Sequence, residues 1–183
     1  MLQGDSSMYK SPYQDAPPAF AQLPLIPFSA PVSALKATSG DQFPSEQLTG
    51  PAPCSDKDKA VFVGLVHFNG GLQPCKVVPA FHPRPVRVGF GGREHTVDGD
   101  FFVVPLDAHR MEWVHASHGQ LPQGRQPVDA GHESDGKPLY HAVALVNGVA
   151  VPGKVGPHLK RALVPYGGGE HSREYYQILC WRS

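Results

Sequence analysis

The segment Asn147–His171, NGVAVPGKVGPHLKRALVPYGGGEH, has a degenerate earlier copy in Asn69–His95, NGGLQPCKVVPAFHPRPVRVGFGGREH. A chain that spells one supersecondary unit twice is confined to folds in which two similar halves bury a common core, so the echo constrains the architecture more than any other feature. Asn69, Gly70, Pro74, Lys76, Val77 and Pro79 fall at the spacing of Asn147, Gly148, Pro152, Lys154, Val155 and Pro157. Phe90-Gly91-Gly92-Arg93-Glu94-His95 then answers Tyr166-Gly167-Gly168-Gly169-Glu170-His171, after a first-copy segment two residues longer, which reads as a loop insertion. Val61-Phe62 stands where Leu139-Tyr140 stands, so the unit includes the strand that leads into each Asn-Gly pair.

The units read as β-structure. Short β-branched and aromatic runs bounded by Gly, Pro, Asn and Asp predict strands at 60–68, 86–90, 100–106, 111–116, 138–146, 162–166 and 174–181, and no window holds a helical period. With 20 glycines and 20 prolines in 183 residues, turns are too dense for a helix bundle. Asn-Gly tolerates positive φ at both centres of a tight hairpin turn, so Asn69-Gly70 and Asn147-Gly148 are expected to close hairpins. Residues 1–45 carry Pro12, Pro17, Pro18, Pro24, Pro27 and Pro31, too closely set for helix or central strand, and are expected to form a disordered tail. Within that tail the apolar run 19–28, AFAQLPLIPF, either lies on the domain or docks in a protein partner's groove. A short helical turn is the reading for 32–37.

Composition narrows the function. Lys plus Arg equals Asp plus Glu at 16 each, which removes the net positive charge that drives nucleic-acid binding. No run is long enough to span a bilayer as a helix, and the N-terminus lacks the apolar stretch of a signal peptide. Three widely spaced cysteines, Cys54, Cys75 and Cys180, fit reduced thiols in the cytoplasm better than a disulfide framework, with a Cys54 to Cys180 pair as the alternative. Export without a signal peptide stays open. His115 and His118 have no third ligand at a recognisable spacing, and neither a phosphate-binding loop nor a nucleophile motif is present. No metal, cofactor or catalytic residue is therefore expected. Trp113, Tyr140, Tyr166 and Trp181 read as core more than as sugar-stacking surfaces, and Glu94 and Glu170 as holders of backbone amides beside glycine-rich turns.

Trp113-Val114, Gly119-Gln120-Leu121-Pro122, Gly131, Asp135-Gly136, Leu139-Tyr140, Pro152-Gly153-Lys154-Val155, Tyr166-Gly167-Gly168, Glu170 and Tyr176 through Cys180 form an ordered series. That series resembles the DM9 repeat, the module found in pairs in DM9-domain lectins and also in natterin-like proteins. The resemblance implies a compact all-β domain of two pseudosymmetric DM9-like repeats: a tail at 1–45, a diverged first repeat at 46–112 and a second at 113–183. It further implies non-catalytic binding of mannose-type glycans, an acid and a lysine serving each repeat. On this chain those are Asp135 and Lys154 in the second repeat, and Lys76 with Asp58 or Asp56 in the first. The first repeat has no Asp-Gly pair, has Lys57 at the aligned position, and has Cys75 in place of the glycine before the lysine. A carboxylate and an ammonium above a turn suit a sugar, one accepting from hydroxyls and the other donating to them. A few such bonds give only about millimolar affinity, so several sites, on paired repeats or in a homodimer, would have to act together. An adaptor that keeps the scaffold without the sugar site is the rival reading.

Overall fold

Both Asn-Gly pairs close two-residue hairpins, with φ of +49° and +78° at Asn69 and Gly70 and +51° and +81° at Asn147 and Gly148. Each joins a long strand to a proline-containing one, and from these two hairpins the rest of the sheet is laid out. The computed structural model describes residues 34–183. In chain order the strands are β1 (Leu35–Thr38), β2 (Cys54–Asp56), β3 (Lys59–Phe68), β4 (Gly71–Val77), β5 (Val86–Phe90), β6 (Arg93–Val97) and β7 (Asp100–Val103). The second half continues with β8 (Met111–Ser117), β9 (Asp129–His132), β10 (Pro138–Val146), β11 (Val149–Val155), β12 (Ala162–Tyr166), β13 (Gly169–Arg173) and β14 (Tyr175–Trp181). The described helical structure is one turn, α1 (Glu46–Thr49), and a 3-10 turn at Pro79–Phe81. The chain is all-β, as the spacing of its apolar runs predicts.

The halves match strand for strand. Gly64 and Leu65 of β3 pair with Val103 and Phe102 of β7, and Ala142 and Val143 of β10 pair with Ile178 and Gln177 of β14. The cores match as well. Val77, Val86, Val88, Phe101 and Val103 fill the first, and Val155, Ala162, Val164, Tyr176 and Ile178 fill the corresponding places in the second. Two further clusters are shared between copies: Cys54, Val61 and Val78 pack with Val143 and Trp113, and Leu65 and Val104 pack with Ala130.

The sheet closes on itself. Strands run β4-β5-β6-β13-β12-β11-β10, and β9 joins β10 back to β4 through Leu72 opposite His132, which makes a barrel of eight strands. At the opposite seam β6 and β13 meet at Arg93 and Gly169. There the two glycine-rich hairpins exchange bonds in both directions: Gly168 N donates to Glu94 Oε2 at 2.7 Å and Gly92 N donates to Glu170 Oε2 at 3.0 Å. The two glutamates do hold backbone amides, each in the other copy.

One expectation is corrected. Residues 35–38 are neither a helical turn nor tail, because β1 pairs with β7 from Leu35 opposite Val103 to Thr38 opposite Asp100, and Phe43 packs on the first core. Residues 46–49, at the start of the first repeat, form α1. Of the proline-rich tail read at 1–45, residues 1–33 lie outside the described residues. Finally, β4 and β11 are full strands although each contains a proline. Pro74 and Pro152 pair with Leu65 and Val143 on one side, while on the other β5 and β12 pair only at or beyond the lysine and β9 meets β4 at Leu72, so a missing N–H costs no ladder bond.

Candidate functional site

The lysines of the repeated Lys-Val pair point inward and across the barrel, and both are buried, Lys76 at 6% and Lys154 at 3% exposure. A buried ammonium is held only where carboxylate, carbonyl or amide oxygens replace its water, and the two copies do this differently. Lys76 Nζ donates to Pro165 O at 2.7 Å and pairs with Glu94 Oε1 at 2.9 Å, with the Tyr166 ring 5.2 Å away. Lys154 Nζ lies 4.9 Å from the ring of Phe90, the counterpart of Tyr166, but donates to the side chain of Gln73 at 2.7 Å. Gln73 is itself wholly buried and donates through Nε2 to Glu133 Oε2 at 2.8 Å. Its second-copy counterpart is Val151, so the diversion of Lys154 has no equivalent in the first copy.

The second-copy cluster is the less saturated of the two. Glu133 Oε1 stands 3.9 Å from Lys154 Nζ and 3.6 Å from His158 Nε2, both beyond hydrogen-bond length. Among the described residues His158 Nε2 and Glu170 Oε1 have no hydrogen-bond partner, although both are buried atoms. Burial pushes the Lys154 ammonium below its ordinary pKa, and the Glu133 and Glu170 carboxylates partly offset that. The site therefore gathers an ammonium with donors to spare beside the Phe90 ring, a carboxylate oxygen without a donor and an imidazole nitrogen.

Of the acids read from the sequence, Asp56 shares a hollow with Lys76, whereas Asp135 and Asp58 stand at turn tips. Asp135 is exposed at the tip of the β9–β10 turn, where Oδ2 accepts from Lys137 Nζ at 2.7 Å and Oδ1 from Lys137 N at 3.2 Å. Those bonds to Lys137 hold its carboxyl below the usual carboxylate range. Asp58 is likewise exposed, at the tip of the β2–β3 turn with φ of +65°. The acid beside each lysine lies two residues earlier: Glu133 near Lys154, and Asp56, which shares a small hollow with Lys76 and Tyr166. Asp56 and Glu133 correspond in register, since Cys54 faces Val61 as Gly131 faces Leu139. A turn-centre Asp spends its carboxylate on its own backbone, whereas the residue entering the turn still has strand geometry and points at the sheet's interior. That rule, together with Gln73 as a lone amide in an apolar strand, is the signal by which Glu133 could have been found.

The remaining candidates have structural partners. His118 pairs with Glu174 at 2.8 Å, just beyond the ends of β8 and β14, and His115 of β8 with Gln177 of β14 at 3.3 Å. Cys54, Cys75 and Cys180 are buried free thiols, and burial raises the Cys54 thiol to about 11. Trp113 and Trp181 are half-buried against core clusters, Trp181 also beneath the Arg110 guanidinium at 5.3 Å. Tyr140 and Tyr166 pack against the second-copy core.

Two copies of one β-unit, each sending a lysine across a shared barrel, define a class of duplicated all-β module. The DM9 repeat family model matches residues 55–182, and the chain belongs to that family. No curated protein sequence matches it significantly. Among solved structures it is similar to the nematode sperm cell motility protein MFP2B, with a TM-score of 0.56 at 18% identity over 81% of this chain. The match spans 45% of that protein's chain, so the likeness is one of fold and covers less than half of it. Among the described residues no helix is long and apolar enough to cross a membrane.

Proposed function

We propose that the chain is a non-catalytic glycan-recognition module that takes mannose-type sugars at the second-copy cluster. The observation that carries this reading is the gap between Lys154 Nζ and Glu133 Oε1, 3.9 Å across. A sugar hydroxyl about 2.8 Å from each would accept from the ammonium and donate to the carboxylate, completing both. His158 Nε2 stands 3.6 Å from the same Glu133 oxygen and would be a third partner for the sugar, and Asp135 and Lys137 lie exposed on the adjoining turn. Charge-assisted bonds of about 1.5–3 kcal/mol each, less the cost of ordering the sugar, amount to about millimolar affinity per site. The first-copy pair of Asp56 and Lys76 offers less, because Lys76 is already engaged by Glu94 and Pro165 O.

Calorimetric titration of mannose into the full chain and into Glu133→Gln, Lys154→Met and Asp135→Asn variants tests the reading. Binding in the millimolar range is expected, lost in the first two variants and changed by less than about threefold in the third. No binding at any accessible sugar concentration, or binding indifferent to Glu133 and Lys154, defeats it. A second reading rests on the burial of both lysines: the duplicated scaffold serves as a protein-interaction adaptor and the ion clusters only hold it together. Under that reading the full chain and a form lacking residues 1–33 capture the same partner, and added mannose does not release it.

A further inference from the structure

In the first copy Lys76 Nζ is seated between Glu94 Oε1 at 2.9 Å and Pro165 O at 2.7 Å. Because Phe90 answers Tyr166 and Glu94 answers Glu170, the corresponding seat for Lys154 lies between Glu170 Oε1 and Gly89 O. Its parts are in place. Glu94 Oε2 accepts from Gly168 N and Glu170 Oε2 from Gly92 N, which leaves Oε1 of each glutamate for a lysine. An aromatic ring stands beside each ammonium, Tyr166 at 5.2 Å from Lys76 Nζ and Phe90 at 4.9 Å from Lys154 Nζ. Lys154 nevertheless does not take the seat. Glu170 Oε1 is a buried atom with no hydrogen-bond partner among the described residues, packed so closely on Gly89 that a Cβ there would stand 2.8 Å from it. A buried carboxylate oxygen without a donor is costly, and the Glu170 carboxylate is near enough to Lys154 to support its charge against burial.

Gln73 draws the lysine away. Its wholly buried side chain accepts from Lys154 Nζ at 2.7 Å and donates through Nε2 to Glu133 Oε2 at 2.8 Å. One amide thus fixes both charged members of the candidate sugar site and holds Lys154 Nζ 3.9 Å from Glu133 Oε1. A carboxamide suits this place because it accepts at one atom and donates at the other; Val151, which stands there in the second copy, does neither.

We propose that Gln73 is the positioning residue of the second-copy site, holding Lys154 beside Glu133 and away from the seat at Glu170, so that the first copy supplies the side chain that opens the second copy's site. The assignment rests on the glycan reading for its ligand and on the repeat geometry alone for the two seats. Gln73→Val puts the second copy's residue in the first and removes the amide. Lys154 Nζ then moves to Glu170 Oε1 and Gly89 O, as Lys76 does to their counterparts, and the gap that admits a hydroxyl closes. Mannose affinity, read by amide chemical-shift titration of the full chain, should fall by about tenfold or more. Adding Glu170→Gln, which makes the competing seat neutral and keeps an oxygen for Gly92 N, should restore affinity to within about threefold of the parent.

Urea unfolding reads the seats without sugar. Glu170→Gln should leave the parent's midpoint nearly unchanged, since nothing donates to Oε1 there, and should lower that of the Gln73→Val protein, where it breaks the new ion pair. Gln73→Met, which keeps the bulk of the side chain, repeats every arm should the valine variant not fold. Mannose binding indifferent to Gln73, binding lost but not rescued by Glu170→Gln, or equal midpoint shifts in the two backgrounds overturns the proposal. If the parent binds no mannose, the glycan reading falls, and the midpoints alone decide whether Gln73 positions Lys154.

Discussion

At the scale of single residues the two copies differ most where a polar group has been put into one core and not the other. His141 of β10 is wholly buried, whereas strand register gives its first-copy counterpart as Val63, equally buried. Neither imidazole nitrogen has a hydrogen-bond partner among the described residues, and burial pulls its pKa down to about 3. A base with a depressed folded pKa stays neutral in the folded state while the unfolded state takes up a proton. Stability therefore falls as pH drops from about 6.5 toward about 3, by up to about 1.4 kcal/mol per unit. Replacing His141 with Val should cut the loss between pH 7 and 5 by about 2 kcal/mol, read from urea midpoints at each pH. Parallel pH profiles for the two proteins would show that His141 is not the acid-sensitive group. The same scale decides how much of the site was legible. The lysines stand out because Lys-Val recurs at fixed spacing, but the acid read from the Asp-Gly pair is misplaced by two residues. Turn chemistry claims Asp135, and only the strand register delivers Glu133 to Lys154.

At the scale of the strands, Cys75 in place of the repeat's glycine has a physical account. Gly64 faces Cys75 and Ala142 faces Gly153 across equivalent hairpins, so each copy keeps one glycine, on opposite strands. In the first copy β7 crowds the hairpin: a Cβ on Gly64 would stand 2.6 Å from Phe102 O. In the second copy β12 crowds it instead, and a Cβ on Gly153 would run into Leu163 O and stand 2.8 Å from Val164 Cα. Gly153→Ala must push β12 away and should cost about 1–3 kcal/mol, while Ala142→Gly adds only the roughly 1 kcal/mol entropic penalty of a strand glycine. Thermal and urea unfolding of the two variants would decide, and a Gly153→Ala protein as stable as the parent would refute the close approach. Such crowding is set by neighbours distant in sequence and leaves no local trace. The tight hairpins, by contrast, are written in two residues each and were legible. So were β3, β5, β10 and β12, whose apolar runs stand between turn residues, whereas short β2 and β9 carry too few residues to show a pattern.

For the whole molecule, the question is whether a doubled chain behaves as two units or one. Duplication alone would permit two independent halves, since each has its own core. The connections argue against that. Barrel closure needs β9 of the second half on β4 of the first, and Lys76, Lys154, Glu94 and Glu170 each share a hydrogen bond with the opposite copy. Removing the second half would take Pro165 O from buried Lys76, and removing the first would take Gln73 from buried Lys154, each a charge-assisted bond of about 1.5–3 kcal/mol. Unfolding should therefore be a single transition, with far-UV circular dichroism and the fluorescence of Trp113 and Trp181 changing together. A cavity made in the first core by Val77→Ala, costing about 2 kcal/mol, should move the signal of Trp181 as far as it moves the circular dichroism. Trp181 packs with Met111, Val128 and Leu179, away from Val77, so it reports the second half. If its midpoint stays fixed while the circular dichroism shifts, the halves fold separately and the exchanged bonds are surface decoration.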